Sequence, residues 1–214
     1  MGMTRRGQLG PVVGRLCVVA ALSGCVTGGA TQTSADTPPE ILQHEAYNAD
    51  SLKTALEAYD ENNFPLATAL LEQVAGSSAR PGDPNVAKAE FFLGKIYHRQ
   101  KRFNESYATF QRIVAGGRSH PYYLRTLEWL VALSHVMPPW VNVVETIAKY
   151  DPTDFEDPTV APDRDELYFL VGQYMVKVGH AWVGRTLLEK VRPQSAFFRR
   201  AHEILHPPAA TESR

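Results

Sequence analysis

Apolar residues recur at spacings of three and four along most of the chain, a pattern that predicts amphipathic helices rather than strands. From about residue 41 these stripes come in pairs joined by short polar turns. The pairs recur with a period of about 40 residues, which indicates an all-α solenoid. Phe64 and Phe103 fall in equivalent turns one period apart, and Gly94 and Gly172 fall in equivalent first helices two periods apart.

About four helix pairs are predicted between residues 48 and 206. The clearest pair has apolar stripes on both sides of a turn at residues 99–104: Ala89, Phe92, Leu93, Ile96 and Tyr97, then Tyr107, Phe110, Ile113 and Val114. A last helix, from Ser195 as its N-cap to Leu205, is predicted to cap the stack. Two prolines follow it, and residues 207–214 are predicted to be a loose tail.

The clearest pair resembles the tetratricopeptide repeat. Its residues match the family's Leu-Gly, tyrosine, turn aromatic, small packing residue and phenylalanine: Leu93, Gly94, Tyr97, Phe103, Ser106 and Phe110. The fourth pair and the first pair keep part of the pattern, and the third is degenerate. The resemblance covers about residues 48–205 and implies a tetratricopeptide-like solenoid whose concave groove binds other proteins.

The N-terminal residues 1–24 have the organisation of a secretory signal peptide. Arg5, Arg6 and Arg15 are the only charged residues before position 25, and an apolar run follows at residues 16–22. That run is too short to span a bilayer, since a membrane helix needs roughly 18 apolar residues or more. Residues 25–47 begin with many small and polar residues and contain two adjacent prolines, so they are predicted to form a flexible tether.

The residues Leu22-Ser23-Gly24-Cys25, where the predicted signal peptide ends, resemble the bacterial lipobox. The resemblance implies that cleavage occurs before Cys25 and that this cysteine is acylated. An ordinary signal peptide followed by a chance cysteine is the alternative. Because Val26 rather than aspartate follows the cysteine, the resemblance implies an anchor in the outer membrane, on its periplasmic side.

In the tetratricopeptide family the first helix of each pair lines the groove. The positions outside the packing stripe of these helices are therefore predicted to bind a partner: Lys88, Phe91, Lys95, His98 and Arg99, with Phe169, Gln173 and Lys177 in the fourth pair. An exposed aromatic ring beside cations suits an extended peptide that bears carboxylates. An ordinary solvated helix face is the alternative.

One catalytic motif is present, because His202, Glu203 and His206 fit H-E-x-x-H, the zinc-binding helix of metallopeptidases. A catalytic zinc needs a third protein ligand, and downstream only Glu212 offers one, although an earlier residue remains open. Acidic residues at 151–166 do not have the spacing of an EF-hand loop, so a solvated loop is favoured over a calcium site. No cofactor is predicted.

Composition narrows the functional classes. The 214 residues are 44% hydrophobic with a formal net charge of −1, which argues against a disordered chain and against a nucleic-acid binder. Without residues 1–24 the chain keeps 19 basic and 23 acidic residues, so attraction to the membrane is predicted to come from lipid rather than from a basic patch. The sequence predicts a non-enzymatic scaffold or assembly factor for an envelope machine. A zinc peptidase and a passive structural lipoprotein are the alternatives.

Overall fold

The structure, a computed structural model, describes residues 39–77, 82–139 and 141–207. Nine α-helices and no strands occur in these residues, which confirms the predicted all-α class. The helices are α1 Pro39–Asp60, α2 Phe64–Ala75, α3 Pro84–Arg99, α4 Phe103–Ala115, α5 Thr126–Val136, α6 Val143–Ile147, α7 Arg164–Lys177, α8 Ala181–Leu188 and α9 Phe198–Leu205. The predicted signal peptide and Cys25 lie outside the described residues.

Helix α1 begins at Pro39, well before the predicted start of the folded domain at residue 48. Near residue 48 the helix contacts α2 and a residue shortly after it. The phenol of Tyr47 accepts a hydrogen bond from Gln73 of α2 at 2.7 Å, and the buried amide of Asn48 donates to Ser77 at 2.8 Å. Residues 39–47 are therefore helical rather than part of a flexible tether.

The turns inside three of the helix pairs share one backbone conformation. Asn62, Lys101 and Gly179 have positive φ angles of 62°, 60° and 94°. Each next amide donates a 2.8 Å hydrogen bond to the carbonyl five positions earlier: Asn63 to Ala58, Arg102 to Tyr97, and His180 to Met175. These are Schellman ends of the first helix in each pair. Since the three turns lie one and two periods apart, the period found in the side chains also appears in the backbone.

Small residues hold the two helices of a pair close together. A Cβ added to Gly94 of α3 would lie 2.5 Å from the ring of Phe110 in α4. The buried hydroxyl of Ser106 donates to the carbonyl of Gly94 at 2.8 Å. The helices α3 and α4 can approach this closely only because position 94 has no side chain.

The same contact recurs between α7 and α8, two periods further along the chain. A Cβ on Gly172 would meet Leu188 at 2.8 Å, and one on Gly184 would meet the carbonyl oxygen of Gly172 at 2.5 Å. Gly172, Gly184 and Leu188 are thus equivalent to Gly94, Ser106 and Phe110, which lie two periods earlier. In the first pair, these places are taken by Ala55, Ala67 and Leu71, all completely buried.

The third helix pair departs from this geometry, as its degenerate sequence predicts. Its second helix, α6, has only five residues and is followed by two 3-10 segments, Pro152–Glu156 and Ala161–Asp163. The phenol of Tyr107 in α4 hydrogen-bonds Thr146 of α6 at 2.8 Å. This contact fixes the short helix against the preceding pair.

Each helix packs against the next one in the chain, and α3 joins two groups of core residues. Leu93, Ile96 and Tyr97 of α3 pack with α1 and α2, whereas Phe91 belongs to the core built by α4 to α9. Asp165 and Arg192 close the last pair through side-chain hydrogen bonds of 2.7 to 3.1 Å. Although burial tends to raise the pKa of Asp165, the hydrogen bonds and charge of Arg192 lower it overall.

The last helix is shorter than predicted, since α9 begins at Phe198 rather than just after Ser195. The hydroxyl of Ser195 accepts a hydrogen bond from the amide of Phe197 at 3.2 Å, so it stabilises a turn before the helix. Phe197 itself occupies the N-cap position. No helix among the described residues is long and apolar enough to cross a membrane.

Candidate functional site

Four aromatic rings surround the ammonium group of Lys95 on α3. Its Nζ lies 4.5 Å from the ring centre of Phe92, 5.3 Å from Tyr59, 5.6 Å from Trp129 and 5.8 Å from Phe91. The rings come from α1, α3 and α5, and α3 contacts both of the other helices. We call this region the Lys95 surface; it consists of Tyr59, Phe91, Phe92, Lys95, His98, Arg99 and Trp129.

The two cations of this surface have no ion-pair partner within the described residues. Lys95 is half-buried over the rings, and the exposed guanidinium of Arg99 lies 4.8 Å from the ring centre of Tyr59. Burial lowers the pKa of the Lys95 ammonium, and the positive charge of Arg99 lowers it further. A surface that destabilises its own cations is stabilised when an anion binds.

His98 adds a polar group that lacks a hydrogen-bond partner. Its ring packs edge-on against Phe103 and Trp129, each with a centroid distance of 5.4 Å. Its Nε2 is buried and has no hydrogen-bond partner among the residues that the structure describes. Burial lowers the pKa of His98 below its ordinary value of 6.5, so the imidazole is neutral at pH 7.

We expect an NMR titration of the histidine ring protons to give His98 a midpoint below pH 6.5, with His98→Gln providing the assignment. Because the unfolded chain protonates His98 more readily than the folded one, stability should fall as the pH drops below about 6.5. The Gln variant should lose that part of the pH dependence. A midpoint at or above the ordinary value would contradict the burial of this ring.

The prediction that Phe91 and Phe169 are exposed is wrong. Phe91 is 5% exposed because Tyr122, from the segment between α4 and α5, stacks on it at 4.6 Å. Phe169 is 1% exposed because Phe197, just before α9, stacks on it at 5.4 Å. Both rings are covered by residues from outside their own helix pair.

The other predicted residues lie on different parts of the molecule. Lys88 is half-buried, about 10 Å along the α3 axis from Lys95. Gln173 and Lys177 are exposed and line a separate groove of about 550 Å³. Leu170 and Tyr174 of α7, Asn142 and Val144 near α6, and Ile204 of α9 also border this groove.

Three contributors to the Lys95 surface were missed from the sequence. Phe92, whose ring centre is the nearest to Lys95 at 4.5 Å, was assigned to the packing stripe of α3. Tyr59 lies one period before His98, so the repeat alone could have placed it on the same face. Trp129 comes from the degenerate third pair, where no matching pattern marks the face of the helix. Arg125, at the start of α5, also acts on Lys95 through its charge.

The histidines of the H-E-x-x-H motif are exposed on α9 and at its end, and their ring centres lie 4.5 Å apart. Glu203 forms an ion pair with Arg199 at 3.8 Å, and both side chains are exposed. Within residues 39–77, 82–139 and 141–207, no group of three His, Cys, Asp or Glu side chains is placed to hold a metal ion. Glu212 lies outside these ranges.

The carboxylates of the acidic segment at 151–166 form hydrogen bonds and ion pairs within the protein. Asp151 accepts hydrogen bonds from the amide and hydroxyl of Thr153, at 2.9 and 2.8 Å. Asp157 accepts one from the amide of Thr159, and Asp154 pairs with Arg118. These carboxylates stabilise turns and a contact with the segment after α4.

Comparisons of the chain with protein-family models, with curated proteins and with solved structures find no match. The Lys95 surface offers two cations beside aromatic rings. That combination suits a ligand that carries a carboxylate next to an apolar group.

Proposed function

We propose that this chain is an exported bacterial lipoprotein, acylated at Cys25, whose helix pairs form a tetratricopeptide-like solenoid that binds another protein. The lipobox-like Leu22-Ser23-Gly24-Cys25 supports export and acylation, and the basic, apolar and small order before it agrees with a signal peptide. Val26 supports placement on the periplasmic side of the outer membrane.

Equivalent geometry from one period to the next supports the tetratricopeptide-like arrangement. The turns at Asn62, Lys101 and Gly179 have the same helix ends, and Gly94 and Gly172 make the same close contact with the second helix. First helices also contact each other, α1 with α3 and α3 with α5. The period exceeds the family's usual length of roughly 34 residues because longer segments, such as 116–125, connect the pairs.

The observation that carries the binding function is the pair of cations, Lys95 and Arg99, held over aromatic rings without a carboxylate partner among the described residues. This surface is formed by the first helices α1, α3 and α5. The partner is a polypeptide segment that brings a carboxylate to Lys95 and an apolar side chain to the half-buried rings of Phe92 and Trp129. Arg99 and Arg125 add positive charge near Lys95, which Glu128 and Asp60 offset in part, and the excess of positive charge favours an acidic segment.

The role is that of a scaffold or assembly factor for an envelope machine, such as a pilus or secretin, an outer-membrane assembly complex or a motility complex. Binding rather than catalysis is proposed. Acyl chains on Cys25 would hold the protein at the membrane and raise the local concentration of the surface for partners in the same compartment.

Mass spectrometry of the processed protein tests the anchor. We expect an N-terminal Cys25 that carries acyl chains, and Cys25→Ser should abolish acylation and release the protein from the membrane fraction. An unmodified thiol at Cys25 in the mature chain would contradict the lipoprotein proposal. That result would leave the binding surface to be judged separately.

Charge reversal at Lys95 and Arg99 tests the surface. A photoreactive residue in place of Trp129 should crosslink a partner in cells. Adding the Lys95→Glu and Arg99→Glu substitutions should lower the amount of crosslinked partner about tenfold or more. The reason is that like charges placed across an interface cost several kcal/mol. Lys149→Glu, which changes an exposed lysine just after α6, is the matched control and should change nothing. Equal yields from the double variant and the control would overturn the assignment.

A further inference from the structure

The turn between α7 and α8 exposes three large apolar side chains together. Trp182 is 79% exposed, Val178 46% and Val183 39%. Trp182 is the second residue of α8, and it lies on the side opposite Gly184, Leu187 and Leu188, which pack inward. We call these three residues, Val178, Trp182 and Val183, the Trp182 tip.

The C-terminal part of the chain that carries this tip differs in charge from the rest. Residues 177–207 contain six Lys and Arg but only two Asp and Glu. Residues 39–176 contain twelve Lys and Arg against nineteen Asp and Glu. The chain is therefore acidic over residues 39–176 and basic over the segment 177–207 that carries the tip.

Cations flank the tip directly. Lys177, in the last turn of α7, is exposed and precedes Val178. Arg185 follows Trp182 by almost one helical turn, stays exposed, and donates a hydrogen bond to the carbonyl of Leu205 at 2.9 Å. In the described residues, neither Lys177 nor Arg185 forms a salt bridge with a carboxylate. Their charge is available to an external anion.

We infer that the Trp182 tip inserts into the interface of an anionic lipid bilayer, as a membrane contact separate from any acyl chain. Tryptophan favours the headgroup region, where its ring is buried and its indole N–H remains hydrated. Lys177 and Arg185 would lie at the level of the lipid phosphates. Basic residues at that depth each contribute to attraction by anionic lipid.

A bilayer fits the tip better than a protein partner does. The tip consists of three exposed side chains at the turn and the start of α8, whereas a stable protein interface buries roughly 1,200 Å² or more of total surface. A bilayer needs no complementary groove, because apolar side chains enter the acyl boundary while nearby cations stay with the headgroups.

Vesicle flotation tests this contact without the acyl chains. The full chain with Cys25→Ser should float with vesicles that contain phosphatidylglycerol more than with vesicles of phosphatidylcholine alone. Trp182→Ala should reduce the bound fraction by about tenfold, whereas Leu66→Ala should leave it unchanged. Leu66 is the matched control because it is 44% exposed and lies three periods before Val183. Lys177→Ala and Arg185→Ala should each weaken binding about fivefold. Raising the salt concentration should also weaken the binding of the Cys25→Ser chain.

Brominated lipids give a second readout that does not depend on how firmly the N-terminal segment binds. They should quench part of the tryptophan emission of the Cys25→Ser chain, and Trp182→Ala should remove that quenched part. Equal quenching in both proteins would overturn the inference, as would equal flotation of Trp182→Ala and Leu66→Ala. Concentration-dependent dimers that Trp182→Ala abolishes, with no quenching, would assign the tip to a second copy instead. Because these proteins lack the acylated thiol, the outcome is independent of whether Cys25 is lipidated.

Discussion

Gly184→Ala is expected to lower the free energy of unfolding by about 2 to 3 kcal/mol, a large effect for the addition of one methyl group. The new Cβ would lie 2.5 Å from the carbonyl oxygen of Gly172 and 2.7 Å from the backbone nitrogen of Val176. Backbone atoms cannot rotate away, so α7 and α8 must separate. The better helix propensity of alanine offsets only about 1 kcal/mol. Thermal unfolding followed by circular dichroism should show a Tm lower by roughly 5 to 10 °C.

Gly116→Ala is the matched control for this experiment. Gly116 follows α4 with ordinary dihedral angles, φ −69° and ψ −14°, and its Cβ would come no closer than 3.3 Å to another atom. The free energy of unfolding of the Gly116→Ala variant should differ from that of the wild type by less than about 0.5 kcal/mol. If the two variants unfolded alike, the close approach of α7 to α8 would be contradicted.

The helices were predictable because their apolar spacing reflects the same packing that forms the core. Ala89, Leu93 and Ile96 recur on one face of α3, and all three are buried. The repeat period was predictable for the same reason, since Gly94 and Gly172 solve one steric problem in two helix pairs. A contact that recurs in each pair requires the same type of residue at equivalent positions, and this recurrence is visible in the sequence.

The exposure of individual side chains was less predictable, because it depends on what covers a helix from elsewhere in the chain. Phe91 lies outside the packing stripe of its own helix pair, which predicts exposure, yet Tyr122 from a connecting segment covers its ring. Phe169 is covered by Phe197 for the same reason. Connecting segments have no periodic pattern, and the apolar stripes of α3 and α7 do not indicate which residues will cover them. These contacts therefore could not be predicted.

The Lys95 surface was predicted in part. Lys95, His98 and Arg99 share one helix, and their spacing of three and four places them near one another. Tyr59 and Trp129 come from other helices and contribute two of the four rings around the Lys95 ammonium. The start of α1 was missed because the contacts described next to it, the side-chain bonds of Tyr47 to Gln73 and of Asn48 to Ser77, leave no apolar stripe in the sequence.

Gly94→Ala is expected to cost about 2 kcal/mol in unfolding free energy, and its cause differs from that of Gly184→Ala. Here the obstacle is a side chain, the ring of Phe110, at 2.5 Å from the new Cβ. That ring is completely buried and lies beside Phe91 and Trp129, with centroid distances of 6.2 and 6.1 Å. It cannot turn aside without disturbing both neighbours.

A smaller residue at position 110 should relieve this clash. The first helix pair already combines alanine and leucine at the equivalent positions, Ala55 and Leu71, both completely buried. We therefore expect Gly94→Ala with Phe110→Leu to be more stable than the sum of the two single effects predicts, by about 1 kcal/mol. Urea unfolding of the wild type, both single variants and the double variant gives this coupling energy directly. Strict additivity would mean that Phe110 is not the group that excludes a side chain at position 94, and the equivalence of the first two pairs would then fail at its closest contact.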